Sequence, residues 1–178
     1  NFSMWQYLDI HSNVSSQLFR SPGVFNDAAH KNGVLTAAYY FIDWASSVTS
    51  TSDAGKPLYE LSKKENGKFK YAKKLIQLMK YYGIDGMAFN PEGYFSSDLN
   101  TQFQEFLAEC HRIAEEEENW HFHVDWYGYV SNSGNLTDGG STLTANHSNW
   151  FHNDALNYPV TDVYFLNYNW SEGSLQTS

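Results

Sequence analysis

In the stretch IDGMAFNPE, Asn90 and Glu92 stand two residues apart at the end of an apolar run. Side chains alternate across a strand. If this run is one, Gly86, Ala88, Asn90 and Glu92 share a face, and Asp85, Met87 and Phe89 share the other. Small residues below a polar pair leave room for a ligand. A carboxylic acid that gives up a proton near neutral pH needs a raised pKa, which burial among aromatics supplies. Tyr94 and Phe95 follow Glu92, and other predicted strand ends offer Trp126, Tyr127, Tyr168 and Trp170. An amide beside the acid donates and accepts hydrogen bonds without adding charge. The combination suits a reaction whose nucleophile belongs to the substrate. A 2-acetamido sugar can attack its own anomeric carbon through its carbonyl oxygen, leaving the protein to supply one acid/base and one group orienting the amide. Without that chemistry, Asn90-Pro91-Glu92 is a strand-to-loop turn, with Pro91 tolerable at a strand's end because it lacks an N–H. The motif alone leaves both readings open.

Such a pair needs a frame, and the chain alternates strand-like with helix-like stretches. MWQYLDIHS reads as a strand, and SPGVFNDAAHKNG as a loop and short helix stopped by Gly33. VLTAAYYFIDW has the continuous apolar character of a buried parallel strand. A Ser/Thr/Gly/Pro loop at 46–57 precedes a helix over about 58–82, with Tyr71, Leu75, Leu78 and Tyr82 on one stripe and Gly83 at its end. IDGMAFNPE is the third strand. SSDLNTQFQEFLAECHRIAEEEENW is a helix capped by Ser or Asp, with Glu115–Glu118 on its wet side. HFHVDWYGYV and TDVYFLNYNW are the fourth and fifth strands, with a helix near 144–156 between them. This alternation implies a parallel sheet with crossover helices, either doubly wound or part of a (β/α)8 barrel. Both keep chemistry at the carboxyl ends of their strands.

The 178 residues allow one sizeable core. Six Trp, 13 Tyr and 12 Phe are enough to line that core and still offer flat faces to sugars. A net charge of −9 argues against a nucleic-acid partner. Seven of the eleven basic residues fall between Lys63 and Lys80 and read as the solvated face of one helix. The single Cys110 excludes a disulfide within the chain and packs as a small apolar residue. It leaves the compartment open, with a secreted or cell-surface place favoured slightly over the cytoplasm. No apolar run reaches about 18 residues, so no membrane span is expected. Five Asn-x-Ser/Thr sequons, at Asn1, Asn13, Asn135, Asn146 and Asn169, suit a chain rich in these residues and imply no glycosylation. The opening NFSMWQYLD and the end just after a strand suggest a piece of a longer protein.

Five stretches, in order, resemble glycoside hydrolase family 85, the endo-β-N-acetylglucosaminidases that cut the chitobiose core of N-linked glycans. MWQYLDIHS is similar to the family's Trp-Gln-Tyr-x-Asp strand, and FNDAAHKNGVLTAAYYFIDW to its "AHrnGv" helix and following strand. IDGMAFNPE resembles the Asp-Gly…Asn-x-Glu segment, VDWYGY the Trp-Tyr-Asp strand, and VYFLNYNW the Phe-Leu-Asn-Tyr-x-Trp strand. The resemblance implies a (β/α)8 barrel of which residues 1–178 form a partial catalytic domain, about five βα units, the second to sixth. By position, Glu92 would be the general acid/base, and Asn90 would orient the acetamide that closes to an oxazoline. Tyr127 would lie near that acetamide, and Trp5, Tyr7, Asp9, Trp126, Asn167, Tyr168 and Trp170 would line the pocket. An N-linked glycan or glycoprotein is the implied partner, with no cofactor and no metal; the oligomeric state stays open. Chitinase-type relatives carry acids two and four positions before the catalytic Glu, where this chain has Asn90 and Ala88. Three departures stand out: Gly128 and Asn169 replace an expected Asp and aromatic, and SGNLTDGGSTLTANHSNWF lacks a Trp before its helix.

Other readings remain. The departures suit a degenerate barrel that binds glycan without cutting it, and five units alone suit an inert fragment with open, aggregation-prone edges. His121-x-His123 with Asp125 has the composition of a metal-dependent barrel hydrolase, but at the start of its strand, the wrong end for such chemistry. His30 reads as a helix-end residue and His11 as structural, whereas Asp43 and Trp44 end a strand where sugar could touch.

Overall fold

The apolar run after Gly33 becomes the longest strand, and the other strands are laid beside it. In the computed structural model, which describes residues 2–13, 19–136 and 144–166 but not the side chains of 45 and 46, β1 (Ile10–Asn13) leads through α1 (Gly23–Lys31) to β2 (Leu35–Val48). After α2 (Lys56–Ser62) comes a hairpin, β3 (Lys64–Glu65) and β4 (Lys68–Phe69), and then α3 (Ala72–Tyr82). β5 (Gly86–Phe95), α4 (Ser97–Arg112), β6 (His123–Tyr127), α5 (Ser148–Phe151) and β7 (Val163–Phe165) complete the described elements.

The main sheet has the order β1-β2-β5-β6-β7, and every neighbouring pair is parallel. With the β3–β4 hairpin set apart as its own small sheet, each strand of the main sheet lies beside the next of that sheet along the chain, without the reversal that marks a doubly wound sheet. Strands added in one direction, with helices on one side, curl toward a (β/α)8 barrel, here an incomplete one. Register stacks the concave side chains in levels. Ser12, Ala37, Gly86 and His123 share one, Tyr39, Ala88, Asp125 and Val163 the next, and Tyr127 pairs with Phe165 above them.

On the convex face, Met87, Phe89, Val124 and Trp126 enter one core with Ile76, Met79, Phe103 and Phe106 of the helices. Trp126 stacks on Trp150 of α5 at 3.7 Å and 13°, and such a pair adds about 0.5–1.5 kcal/mol beyond its burial. α4 begins at Ser96, whose Oγ accepts from the Leu99 N–H, and it carries Cys110 fully buried on its sheet side.

Several local expectations fail for identifiable reasons. MWQYLDIHS is a strand only from Ile10; Trp5–Tyr7 form a 3-10 turn that leans on α1, Trp5 meeting Phe25 at 5.3 Å. β2 runs to Val48, into the first residues of the loop expected over 46–57. The helix expected over 58–82 is two helices split by the hairpin, because Asn66-Gly67 takes the positive φ values (52° and 77°) of a tight turn. The buried stripe of α3 is Ala72, Leu75, Ile76 and Met79, leaving Leu78 and Tyr82 exposed. The lysines there are less a free wet face than one side of an ion-pair seam, with Lys73 at 2.8 Å from Glu117 and Lys64 at 2.6 Å from Glu105. The helix expected near 144–156 shrinks to a 3-10 turn and α5.

Candidate active site

β5 carries the polar pair, and its local sequence explains how. Gly86 sits where a Cβ would lie 2.1 Å from the His123 carbonyl oxygen, so a glycine lets β5 and β6 close on each other at the base. Ala88 keeps the next level small. Above it Asn90 and Glu92 face the hollow of the sheet, both half-buried, bordering a cavity of about 390 Å³, within the range of small-ligand sites. β6 pairs with β5 only as far as Phe89, so Pro91 sits beyond the last β6 ladder pair although β5 itself continues to Phe95.

The Asn90 Nδ2 donates to Glu92 Oε1 at 3.1 Å. This contact holds the amide with its nitrogen toward Glu92. Asn90 Oδ1 is then buried without a partner among the described residues. A buried amide oxygen left unpaired costs about 1–3 kcal/mol; this one is covered by protein, so a ligand N–H reaches it only when the amide turns toward the cavity. The site thus offers a carboxyl group and, beside it, an amide held against it.

The walls come from neighbouring strands: Ser12 of β1, Tyr39 of β2, Asp125 and Tyr127 of β6, Phe165 of β7. Tyr127 stacks on Tyr129 (5.8 Å, 16°), and Tyr129 meets the exposed Trp44 edge-on at 6.2 Å. This aromatic run leads from the cavity to the outer rim. Asp43 Oδ1 accepts from the Trp44 N–H inside β2, where the register against β5 shifts.

Expected wall residues divide sharply. Asn90, Glu92 and Tyr127 meet in the cavity. Trp126 contributes to the wall, but its indole is wholly buried and turned to the helices, so alternation along β6 removes it as a stacking face. Trp5, Tyr7 and Asp9 are not in the cavity wall: the 3-10 turn breaks the strand period, Tyr7 and Asp9 are exposed, and Ile10 and Ser12 take the inward places. Asn167, Tyr168, Asn169 and Trp170 lie outside the described residues. His11 packs its ring on Phe25 at 4.3 Å, and His30 pairs with Asp85 at 2.7 Å; neither borders the cavity. Tyr39 and Asp125 were missed. An unbroken apolar run does not tell which of Tyr39 and Tyr40 faces inward, and Asp125 drew notice only as a metal ligand.

Gly128 has a steric partner. A Cβ there would lie 1.9 Å from Tyr164 Cε1. Any larger side chain at 128, an aspartate included, is incompatible with this placement of Tyr164, so the departure at 128 is tied to how Tyr164 packs. Burial pushes the Tyr164 phenol well above its usual range.

A one-directional parallel sheet with polar groups and aromatics at its carboxyl end is the arrangement on which (β/α)8-barrel enzymes build their sites. The model of glycosyl hydrolase family 85 matches residues 1–178, and the chain belongs to that family. It is 29% identical over 176 residues to a cytosolic endo-beta-N-acetylglucosaminidase of Danio rerio, and 28% identical over 182 residues to one of Gallus gallus. Each match covers 98% of this chain and 22% of the relative, so the chain spans about a fifth of their length. The glycoside hydrolase domain of Spr0440, Endo-D from Streptococcus pneumoniae R6, superposes with a TM-score of 0.80 at 25% identity over 97% of this chain and 26% of that one. The tilt toward a secreted or cell-surface place is corrected by these relatives, both named cytosolic. No described helix is long and apolar enough to cross a membrane.

Proposed function

We propose that the protein containing this chain is an endo-β-N-acetylglucosaminidase that hydrolyses the GlcNAc-β1,4-GlcNAc bond of N-linked glycans, with retention and through the substrate's own acetamide. The observation that carries the reading is Asn90, whose Nδ2 holds Glu92 while its buried Oδ1 lacks a partner. An acetamide N–H donating to Oδ1 would turn the acetamide carbonyl toward the anomeric carbon. Glu92 then protonates the leaving oxygen as the acetamide oxygen closes on the anomeric carbon, giving an oxazolinium ion that keeps its N–H, and the same carboxylate takes a proton from the water that opens it. The cycle returns Glu92 to its starting protonation state and draws its nucleophile from the substrate. Tyr127 borders the same cavity and packs beside the acetamide, while Tyr129 and Trp44 extend a stacking surface toward the rest of the glycan. Relatives named cytosolic support action in the cytosol on glycans or glycoproteins present there.

The test uses the full-length protein and substrates whose reacting sugar carries N-acetyl or N-trifluoroacetyl. Fluorine withdraws electrons from the carbonyl oxygen, so participation by the acetamide requires a steep fall in kcat. Equal rates for the two substrates would remove the substrate-assisted mechanism while leaving the glycosidase assignment standing.

A further inference from the structure

We propose that the amino-terminal end of the sheet binds a divalent ion of the zinc class through His121, His123 and Asp162. One ring nitrogen of each histidine and one carboxylate oxygen of Asp162 lie within 4.8 Å of one another. Zinc bonds of about 2.0–2.2 Å put tetrahedral ligands roughly 3.4 Å apart, and the exposed His121 can close that gap by rotating its side chain. Two imidazoles with one carboxylate suit zinc or a similar transition ion, and are poor company for calcium or magnesium, which take oxygen.

What separates this group from a chance surface cluster is the shell behind it. Asp125 Oδ1 lies 2.5 Å from His123 Nε2 and holds that ring. Asp162 Oδ2 lies 2.9 Å from His111 Nε2 and accepts from the Val124 N–H at 2.8 Å. Carboxylates behind imidazoles and hydrogen bonds behind carboxylates are how proteins aim metal ligands. A groove of about 410 Å³ lined by His111, His121 and Asp162 gives the ion an entry path and leaves room for water as a further ligand. The sequence grouped His121 and His123 with Asp125; the fold exchanges the acid, putting Asp162 in the cluster and Asp125 behind His123.

The group lies at the opposite end of the sheet from Asn90 and Glu92, so the ion would tie the segment entering β6 to the one entering β7 and play a structural part. Asp125 touches both regions, as a holder of His123 and as part of the cavity wall. The proposal stands apart from the glycosidase reading.

The experiment strips full-length protein with a chelator, titrates it with Co²⁺ followed by visible absorption, and measures Zn²⁺ uptake by calorimetry. Wild type should gain the d–d bands of a low-coordinate nitrogen–oxygen site and bind Zn²⁺. His121→Ala, an exposed position, should keep its circular dichroism, lose those bands and bind Zn²⁺ at least about tenfold more weakly. His152→Ala, exposed and outside the cluster, should behave as wild type. No uptake by wild type, or the same spectrum and affinity in His121→Ala and in the double variant His121→Ala/Asp162→Asn, would overturn the assignment.

Discussion

On β5 and β6, Met87, Phe89, Val124 and Trp126 turn to the helices and are almost wholly buried, whereas Ala88, Asn90, Asp125 and Tyr127 turn the other way and border an open cavity. The convex face is close-packed, and its residues are set by volume. Its buried polar atoms without a partner among the described residues are Trp126 Nε1 and Tyr164 OH, on large aromatic bodies whose burial offsets them, and Asn100 Oδ1 of α4. Asn90 Oδ1 shares that state with Asn100 Oδ1, but Asn90 borders the cavity and holds Glu92, whereas Asn100 ties α4 to the Asn132 carbonyl. One set of strands therefore has two selection rules, stability outside and chemistry inside.

Substitutions on the two faces should separate those rules. The largest effect is expected at Glu92→Gln, which lowers kcat of the full-length protein by about 10²–10⁴-fold with little change in Tm. Asn90→Ala should lower kcat by roughly 10²–10³-fold, as for loss of a positioned polar group at developing charge, again without unfolding; a harmless Asn90→Ala would break the contrast at its centre. Across the sheet, Trp126→Ala should cost about 3–5 kcal/mol in chemical denaturation, because it empties the space between Phe89, Phe103 and Trp150. Gly128→Ala should cost about 1–3 kcal/mol by driving Tyr164 from its place, and part of that should return when Tyr164→Leu is added. The smallest change is expected for Tyr164→Phe, which deletes an unpaired hydroxyl and should leave stability within about 1 kcal/mol or raise it.

The contrast between faces also explains what could be read in advance. Alternation through IDGMAFNPE assigned Ala88, Asn90 and Glu92 to one side and Met87 and Phe89 to the other, because a period of two is unambiguous once a strand is given. Strand–helix alternation suggested a parallel sheet, and the absence of a switch in strand order is tertiary information that only the structure supplies. Trp126 misled because an aromatic beside Tyr127 at a strand end looks available to sugar, yet it is one residue out of phase. The split of the helix over 58–82 was legible in Glu65-Asn66-Gly67-Lys68, a hairpin signal outweighed by the helical periodicity around it. Asp162 gave no local signal at all, since it joins His121 and His123 only through the β6–β7 pairing.

The measurement to make is mass spectrometry of a high-mannose glycoprotein incubated with the full-length protein, wild type and Glu92→Gln side by side. The predicted result is a single GlcNAc left on each glycosylated asparagine by wild type and intact glycans with the variant. Equal cleavage by both would contradict the role given to Glu92, and glycan retained on both proteins without any cleavage would make the Asn90–Glu92 face a binding surface only.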